Sequence, residues 1–171
     1  LIINKPPGLA VHGGSGIHAG LIEIVRRHFP HAQNWELVHR LDRETSGLVM
    51  IAKKRSELRR LHQAFRDNQV HKEYWAVLIG QLDQDYHDVT APLKKNQLAG
   101  GERVVRVDHR FGQSAQTVFE VQGRSKEHTW VLAKPVTGRT HQIRVHAQSL
   151  GCSILGDDRY ADHKDNQKAK Q

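Results

Sequence analysis

Short runs of apolar residues recur along the chain at two different spacings. Alternating or continuous apolar runs, separated by turns that contain Gly, Pro or Asp, predict β-strands. Apolar residues that recur every three or four positions predict helices. The predicted strands cover residues 1–5, 36–40, 48–52, 71–80, 103–107, 116–121 and 129–133, and the predicted helices cover residues 21–29, 55–66 and 140–151.

The last predicted helix has recognisable end signals. Thr140 is a favourable N-cap residue, and Gly151 suits the position just after the helix, where a left-handed backbone is common. The apolar residues Ile143, Ala147 and Leu150 predict the buried side of this helix.

The order of these elements predicts an α+β fold. Strands and helices do not alternate as regular βαβ units, so a mixed but largely antiparallel sheet with flanking helices is favoured. We find no internal repeat and no boundary that would split the chain, and we therefore predict one domain over residues 1–160. Residues 161–171 are polar and lysine-rich, which predicts a disordered tail.

Composition narrows the class of protein. The chain has 171 residues, of which 37% are hydrophobic and 26% charged, as in ordinary globular proteins. No apolar run approaches the roughly 20 residues that a membrane span needs, so we expect no membrane partner. The lone Cys152 cannot form an internal disulfide or a cysteine-rich zinc framework. A reducing compartment, by default the cytoplasm, is therefore expected.

The net charge points to a polyanionic partner. The formal charge is +8, and a cationic surface attracts polyanions and speeds their capture. RNA or DNA is thus favoured over a small neutral metabolite. The alternative is that the basic residues only solvate the surface.

The segment 39–48 contains an aspartate among basic residues. Asp42 lies close to Arg40 and Arg43, and neighbouring cations favour the charged form of a carboxylate. A structural role would be a turn, or an ion pair that holds the loop. A functional role would be that of a nucleophile or base beside a glycosidic or C–H bond.

Two further segments carry candidate chemistry. In 138–146, Arg139 and Arg144 lie near a predicted helix N-terminus, where anions bind favourably, with or without chemistry. His141 lies five positions from His146 and so on a different helical face, and we predict no metal site. In 72–80, alternation places Tyr74 and the next residue on opposite sheet faces, so only one can face a cleft, and either could be a core aromatic.

The segment H-R-L-D-R-E-T-S-G-L at 39–48 resembles the catalytic motif of the RNA pseudouridine synthases that act on ribosomal and transfer RNA. Three more blocks, at 4–16, 72–80 and 138–146, resemble that family's motifs in the same order. The H-G-G-S-G stretch at 12–16, of which residues 13–16 are a predicted flexible loop, is closest to the subgroup that modifies large-subunit ribosomal RNA. The G-D-D-R-Y stretch at 156–160 also resembles the family, where it forms a turn.

This resemblance implies an α+β fold with a central cleft, and isomerisation of uridine to pseudouridine in RNA without cofactor or metal. It implies that Asp42 is catalytic, that Arg144 pairs with it, and that Tyr74 stacks on a uracil flipped out of the RNA. Attack on the sugar and removal of the 2′ proton both remain open. The residues expected to bind RNA are Lys5, His39, Arg40, Arg43, Arg139 and Gln142.

Other interpretations remain open. The chain could be a non-catalytic RNA-binding module in which Asp42 and Arg144 form a structural salt bridge. A zinc-dependent base deaminase is disfavoured, because a single cysteine cannot supply its ligands. Family members usually carry an RNA-binding domain ahead of the first block and a further segment after residue 160, so we expect a domain truncated at both ends. We expect a monomer.

Overall fold

The computed structural model describes residues 1–14, 19–97, 103–162 and 166, with the side chains of residues 97 and 103 excepted. The chain forms two compact units, Leu1–Val70 and His71–Gln171. The first unit contains β1 (Ile2–Lys5), α1 (Leu21–His28), a short 3-10 helix (Pro30–Ala32), β2 (Glu36–Leu37), β3 (Gly47–Ala52) and α2 (Arg55–Arg66). The second contains β4 (Tyr74–Ile79), β5 (Tyr86–Val89), β6 (Leu93–Gln97), β7 (Arg103–Val107), β8 (Thr117–Arg124), β9 (His128–Pro135), α3 (Gln142–Ser149) and β10 (Ser153–Ile154).

The first unit is built on a three-stranded antiparallel sheet in the order β1-β3-β2. The central strand β3 buries Val49 and Ile51, two residues apart, as strand periodicity requires. Helix α2 covers part of this unit because Leu58 packs with Val38 and Ala52 in one apolar cluster. The connection between β2 and β3 therefore starts and ends on a packed sheet.

The second unit is built on a five-stranded antiparallel sheet in the order β10-β4-β9-β8-β5. Its core contains Leu78, Phe119 and Val131, each with no exposed surface. Ala147 of α3 belongs to the same cluster, so this helix packs on the core side of the sheet. Trp130, next to Val131 in β9, is 49% exposed on the opposite face.

A two-stranded antiparallel sheet, β6 with β7, adds a second core to this unit. Leu93 of β6 and Val105 of β7 pack with Val145 of α3 and with Tyr160. Val145, the residue after Arg144, thus anchors α3 to β6 and β7.

The α+β class and the antiparallel pairing are confirmed, and all strand pairs among the described residues are antiparallel. The prediction of a strand over 36–40 was wrong beyond Leu37. After Leu37, the Met50 N–H of β3 donates to the His39 ring nitrogen Nε2 at 3.1 Å. In a continued β-sheet this N–H would instead donate to a backbone carbonyl of the neighbouring strand. The strands β5, β6 and β10 were not predicted.

The start of the last helix also differs from its prediction. Helix α3 begins at Gln142, and its N-cap is His141, in the left-handed region at φ 54°, rather than Thr140. Of the predicted buried stripe only Ala147 is fully buried, and Gln142 and His146 are buried beside it. Apolar periodicity missed them because both are polar residues buried through hydrogen bonds. Gly151 does adopt a left-handed backbone after the helix, at φ 77°.

Two predicted flexible segments lie partly outside the described residues. Of the loop over 13–16, residues 15 and 16 are outside them, and of the tail over 161–171 only residues 161, 162 and 166 are described. Asn166 is buried, and its Oδ1 accepts the Gly156 N–H at 2.9 Å. The domain bounds 1–160 and 161–171 stay predictions. No helix in the described part of the chain is both long and apolar enough to cross a membrane.

Gly112 provides a test of the packing beside β6. A Cβ atom at this position would lie 2.3 Å from the Asp108 carbonyl oxygen and 2.8 Å from the Pro92 carbonyl carbon, both backbone atoms. We predict that Gly112→Ala lowers the free energy of unfolding by about 1–3 kcal/mol, measured by urea denaturation, because the backbone must move. At Gly138 a Cβ would have no neighbour within 4 Å, so Gly138→Ala is the matched control. Equal stabilities of the two variants would contradict this prediction.

Candidate active site

Asp42 lies in the connection between β2 and β3. Its side chain is half-buried, whereas its neighbour Leu41 is buried and anchors the connection. The Thr45 N–H donates to the Asp42 carbonyl at 3.1 Å, which closes a tight turn directly after the aspartate. The turn expected from the sequence is therefore present, and Asp42 keeps part of its surface exposed.

Lys5, at the end of β1, lies beneath this connection. Its side chain has no exposed surface, and Nζ donates to the carbonyls of Pro6, Leu9 and Arg43 at 2.9, 2.8 and 3.0 Å. These three acceptors match the three donors of an ammonium group. The expected contact of Lys5 with RNA is corrected, because its ammonium is enclosed and holds two loops together.

The same burial changes the ionisation of Lys5. Burial lowers the pKa of the Lys5 ammonium, while the negative charges of Glu44 and Asp42 act in the opposite direction. The three carbonyl acceptors hold the Lys5 ammonium in place within the electrostatic surroundings of Asp42.

The other basic residues expected around Asp42 occupy different environments. Arg40 is exposed. Arg43 is also exposed, its Nε donates to the Gly8 carbonyl at 3.0 Å, and the Glu44 carboxylate lies 3.4 Å away. His39 is half-buried, and its ring packs on Phe65 at a centroid distance of 5.3 Å. Two of the three therefore present cationic groups at the surface, whereas His39 supports the end of β2.

In the second unit, Arg144 is held by a carboxylate from the turn after β10. Arg144 Nε lies 2.6 Å from Asp157 Oδ2, and Arg144 Nη2 lies 2.7 Å from Asp157 Oδ1. The guanidinium carbon also lies 4.9 Å from the centre of the Tyr160 ring. The planar guanidinium is thereby fixed in position and orientation, as two parallel bonds to one carboxylate require.

Asp157 combines this ion pair with a backbone turn. Its Oδ1 also accepts the N–H groups of Arg159 and Tyr160 at 3.0 and 3.1 Å. Burial disfavours ionisation of Asp157, but the hydrogen bonds and charge of Arg144, together with these two N–H groups, lower the pKa of the carboxyl below its ordinary value. The turn expected at 156–160 is present, and Asp157 within it is a partner of Arg144 that the sequence motifs did not indicate.

Gln142 organises the start of α3. It is buried, and its Oε1 accepts the Arg139 N–H at 2.9 Å and the Thr137 hydroxyl at 2.6 Å. Its Nε2 donates to the Gln116 carbonyl at 2.8 Å and to Thr117 Oγ1 at 2.9 Å. Both acceptor and both donor positions of the amide are thus used. The expected contact of Gln142 with RNA is corrected, because its amide is committed to the protein interior.

This network continues to His146, which has no exposed surface. Its Nε2 lies 2.9 Å from the Ala91 carbonyl, which can only accept, so Nε2 carries the proton and donates. Its Nδ1 lies 2.9 Å from Thr117 Oγ1 and accepts the threonine proton. Burial lowers the pKa of His146, although the bond to Ala91 opposes the shift.

Tyr74 and Arg139 complete the expected set. Tyr74 is half-buried and packs against the core of the second unit, whereas Trp75 is 60% exposed, so the two lie on opposite faces as predicted. Arg139 is exposed, and its Nε donates to the Ser114 carbonyl at 3.0 Å. Within the described residues, no group of three or more His, Cys, Asp or Glu side chains is arranged to hold a metal ion.

Comparison with known proteins gives consistent similarities. Residues 1–149 match the family model for RNA pseudouridylate synthases. The chain is 52% identical over 168 residues to the ribosomal large subunit pseudouridine synthase C of Pasteurella multocida, covering 98% of this chain and 51% of that protein. It is 51% identical over 164 residues to the protein of the same name from Escherichia coli strain K12, covering 96% of this chain and 51% of that protein. The chain thus spans about half the length of these curated relatives.

Solved structures agree with this result. Human RNA pseudouridylate synthase domain containing 1 superposes with a TM-score of 0.81 at 25% identity, covering 98% of this chain and 68% of that chain. Human RNA pseudouridylate synthase domain containing 4 superposes with a TM-score of 0.74 at 31% identity, covering 96% and 66%.

The buried His146 makes stability depend on pH. The pKa of His146 is lower in the folded chain than in the unfolded chain. At pH values between these two pKa values, the unfolded chain therefore binds more protons than the folded chain. We predict that the free energy of unfolding declines as the pH falls from about 6.5 towards the folded pKa, by at most about 1.4 kcal/mol per pH unit from this residue. Urea denaturation from pH 8 to pH 5 should show a shallower decline for His146→Gln than for the parent chain. Parallel curves would contradict the assignment.

Proposed function

The chain belongs to the RNA pseudouridylate synthase family, and we propose that it isomerises uridine to pseudouridine in large-subunit ribosomal RNA. The identity of about half of all aligned residues to synthases named for the large ribosomal subunit carries this proposal. The formal charge of +8 supports capture of a polyanionic substrate. We propose that the chain acts on this RNA as a monomer in the cytoplasm, without a cofactor or metal.

We infer that Asp42 is the catalytic residue. It lies in the motif that resembles the family's catalytic segment, and its half-buried carboxylate is held at a closed turn above the Lys5 cation. The carboxylate would break the N1–C1′ bond, either by attack on C1′ or by removal of the 2′ proton. The uracil then rejoins C1′ through C5; on the first route this displaces the carboxylate from C1′, and on the second the 2′ proton returns to the sugar. C5 loses its proton, while N1 takes one up. The composition of the RNA is therefore unchanged.

We propose that Arg144 pairs with Asp42 during this reaction. The bidentate contact with Asp157 supports this role, because it orients the guanidinium before substrate binds. The network through Gln142 and His146 supports it further by fixing α3, which carries Arg144.

We propose that the target uridine leaves the RNA stack, since a base cannot be rearranged inside a helix, at a cost of a few kcal/mol. Tyr74 would stack on the flipped uracil and keep it from escaping. Arg40 would fill the vacated stack or grip the phosphate of the flipped nucleotide. Arg43 and Arg139, both exposed, would bind neighbouring phosphates.

Asp42 allows a direct test. We predict that Asp42→Asn abolishes tritium release from large-subunit ribosomal RNA labelled at uridine C5, while RNA binding survives because the cationic surface is unchanged. The matched control is Asp67→Asn, which alters an exposed carboxylate at the end of α2 in the same unit. Normal turnover by Asp42→Asn would contradict the assignment. A parent chain that binds RNA but releases no tritium would instead favour a non-catalytic RNA-binding module.

Arg144 allows a second test. We predict that Arg144→Ala is inactive and that Arg144→Lys, which keeps the charge but loses the fork that binds Asp157, also loses most of its turnover in the tritium assay. Arg124→Lys is the control, because Arg124 binds the exposed Asp85 at 2.7 Å in the same unit. Circular dichroism should confirm that each variant is folded, since an unpaired buried Asp157 destabilises the chain. Parental rates in folded Arg144 variants would exclude the proposed role.

A further inference from the structure

Phe111 projects from a rigid turn between β7 and β8. Asp108 Oδ1 accepts the N–H groups of Arg110 and Phe111 at 3.0 and 2.8 Å, and the Gly112 N–H donates to the Asp108 carbonyl at 2.8 Å. A Cβ atom at Gly112 would collide with the Pro92 backbone, so the turn runs close to the segment that precedes β6. Even so, Phe111 is 62% exposed. The backbone thus holds an aromatic ring in solvent, and the ring is preorganised to bind another group.

A surface pocket of about 310 Å³ lies beside this ring. Its floor is apolar, since Leu93 and Val105 are each only 3% exposed. Its rim is cationic and includes Lys94, Lys95 and Arg139. The pocket therefore combines an apolar base, an aromatic wall and a positive rim.

The cations act directly on the aromatic ring. Lys94 Nζ lies 4.8 Å and the Arg110 guanidinium carbon 4.9 Å from the centre of the Phe111 ring. Asp108 Oδ2 lies 3.5 Å from Lys94 Nζ. The hydrogen bond from the Phe111 N–H lowers the pKa of the Asp108 carboxyl, and the Arg110 N–H and the Lys94 charge act in the same direction. Asp108 offsets one positive charge, and Lys95 and Arg139 remain to attract an anion.

The pocket is physically connected to Arg144. The Val105 N–H donates to the Tyr160 hydroxyl at 3.0 Å, and the ring of the same tyrosine lies against the Arg144 guanidinium. A ligand above Val105 would thus lie beside the part of α3 to which we assign a role in the reaction.

We propose that this pocket binds a nucleotide of single-stranded RNA that neighbours the target uridine, with its base stacked on Phe111 and its phosphates on Lys95 and Arg139. The proposal rests on the proposed function and adds a binding subsite to it. Successive bases of single-stranded nucleic acids stack on exposed aromatic rings, and cations beside the rings bind the phosphates. An acidic peptide would satisfy the cations but would offer no base to stack on the exposed part of the ring.

The test measures binding of a fluorescein-labelled, uridine-rich single-stranded RNA to the 171-residue chain by fluorescence anisotropy. We expect Phe111→Leu to weaken binding roughly tenfold, because a leucine cannot stack on a base, and Phe111→Tyr to restore it. The matched control is Tyr86→Leu, which removes an aromatic residue that is 54% exposed on β5, and it should bind like the parent. Lys95→Ala should reduce the slope of log affinity against log salt by about one, whereas Phe111→Leu should leave it unchanged.

A second probe separates base stacking from charge. An abasic oligonucleotide of the same length should bind the parent and Phe111→Leu equally, because it has no base to stack. Parental affinity of Phe111→Leu for the RNA, or an equal loss on RNA and abasic chain, would overturn the proposal. Tritium release by the parent together with normal RNA binding by Phe111→Leu would reject the subsite alone. RNA binding that requires Phe111 in a parent without turnover would reject only the proposed function.

Discussion

The ion pair between Arg144 and Asp157 is the contact on which the candidate site in the second unit depends. Burying a carboxylate is costly unless its oxygens are well bonded, and Asp157 receives two guanidinium nitrogens and two backbone N–H groups. The same carboxylate therefore shapes the turn over 157–160 and orients the arginine of α3. Tyr160 continues from this turn, contacts the guanidinium, and reaches β7 through its hydroxyl. Loss of this ion pair would therefore remove a contact that the turn and the arginine share.

In each unit, a buried polar side chain with all its hydrogen bonds satisfied lies next to the segment that carries the residue we assign to the reaction. In the first unit, the Lys5 ammonium binds three carbonyls below the Asp42 connection. In the second unit, the amide of Gln142 makes four hydrogen bonds at the start of α3. Such groups cost free energy if left unsatisfied, so each specifies one arrangement of the surrounding loops. The side chains that we expect to meet RNA, such as Arg40 and Arg139, lie outside these enclosed clusters.

Local periodicity predicted much of the fold. The bounds of α2 match the predicted 55–66, and β3, β7, β8 and β9 lie where apolar spacing indicated strands. Predictions failed where a side chain replaced a backbone contact. The His39 ring accepts the Met50 N–H and so ends β2 early. His146 is fully buried in α3 although it lies outside the apolar stripe that predicted the buried side of this helix.

The sequence by itself determined the family, the α+β class and the residues nominated for chemistry, because motifs and apolar spacing are local properties of neighbouring residues. Only the tertiary structure decided how those residues are used. Lys5 and Gln142, expected to contact RNA, are buried in the fold and support it from within. Arg144 binds Asp157, which lies thirteen positions further along the chain. The reason is that burial and hydrogen-bond partners depend on which distant segments meet when the chain folds. The spacing of residues within a single segment does not predict these contacts between distant segments.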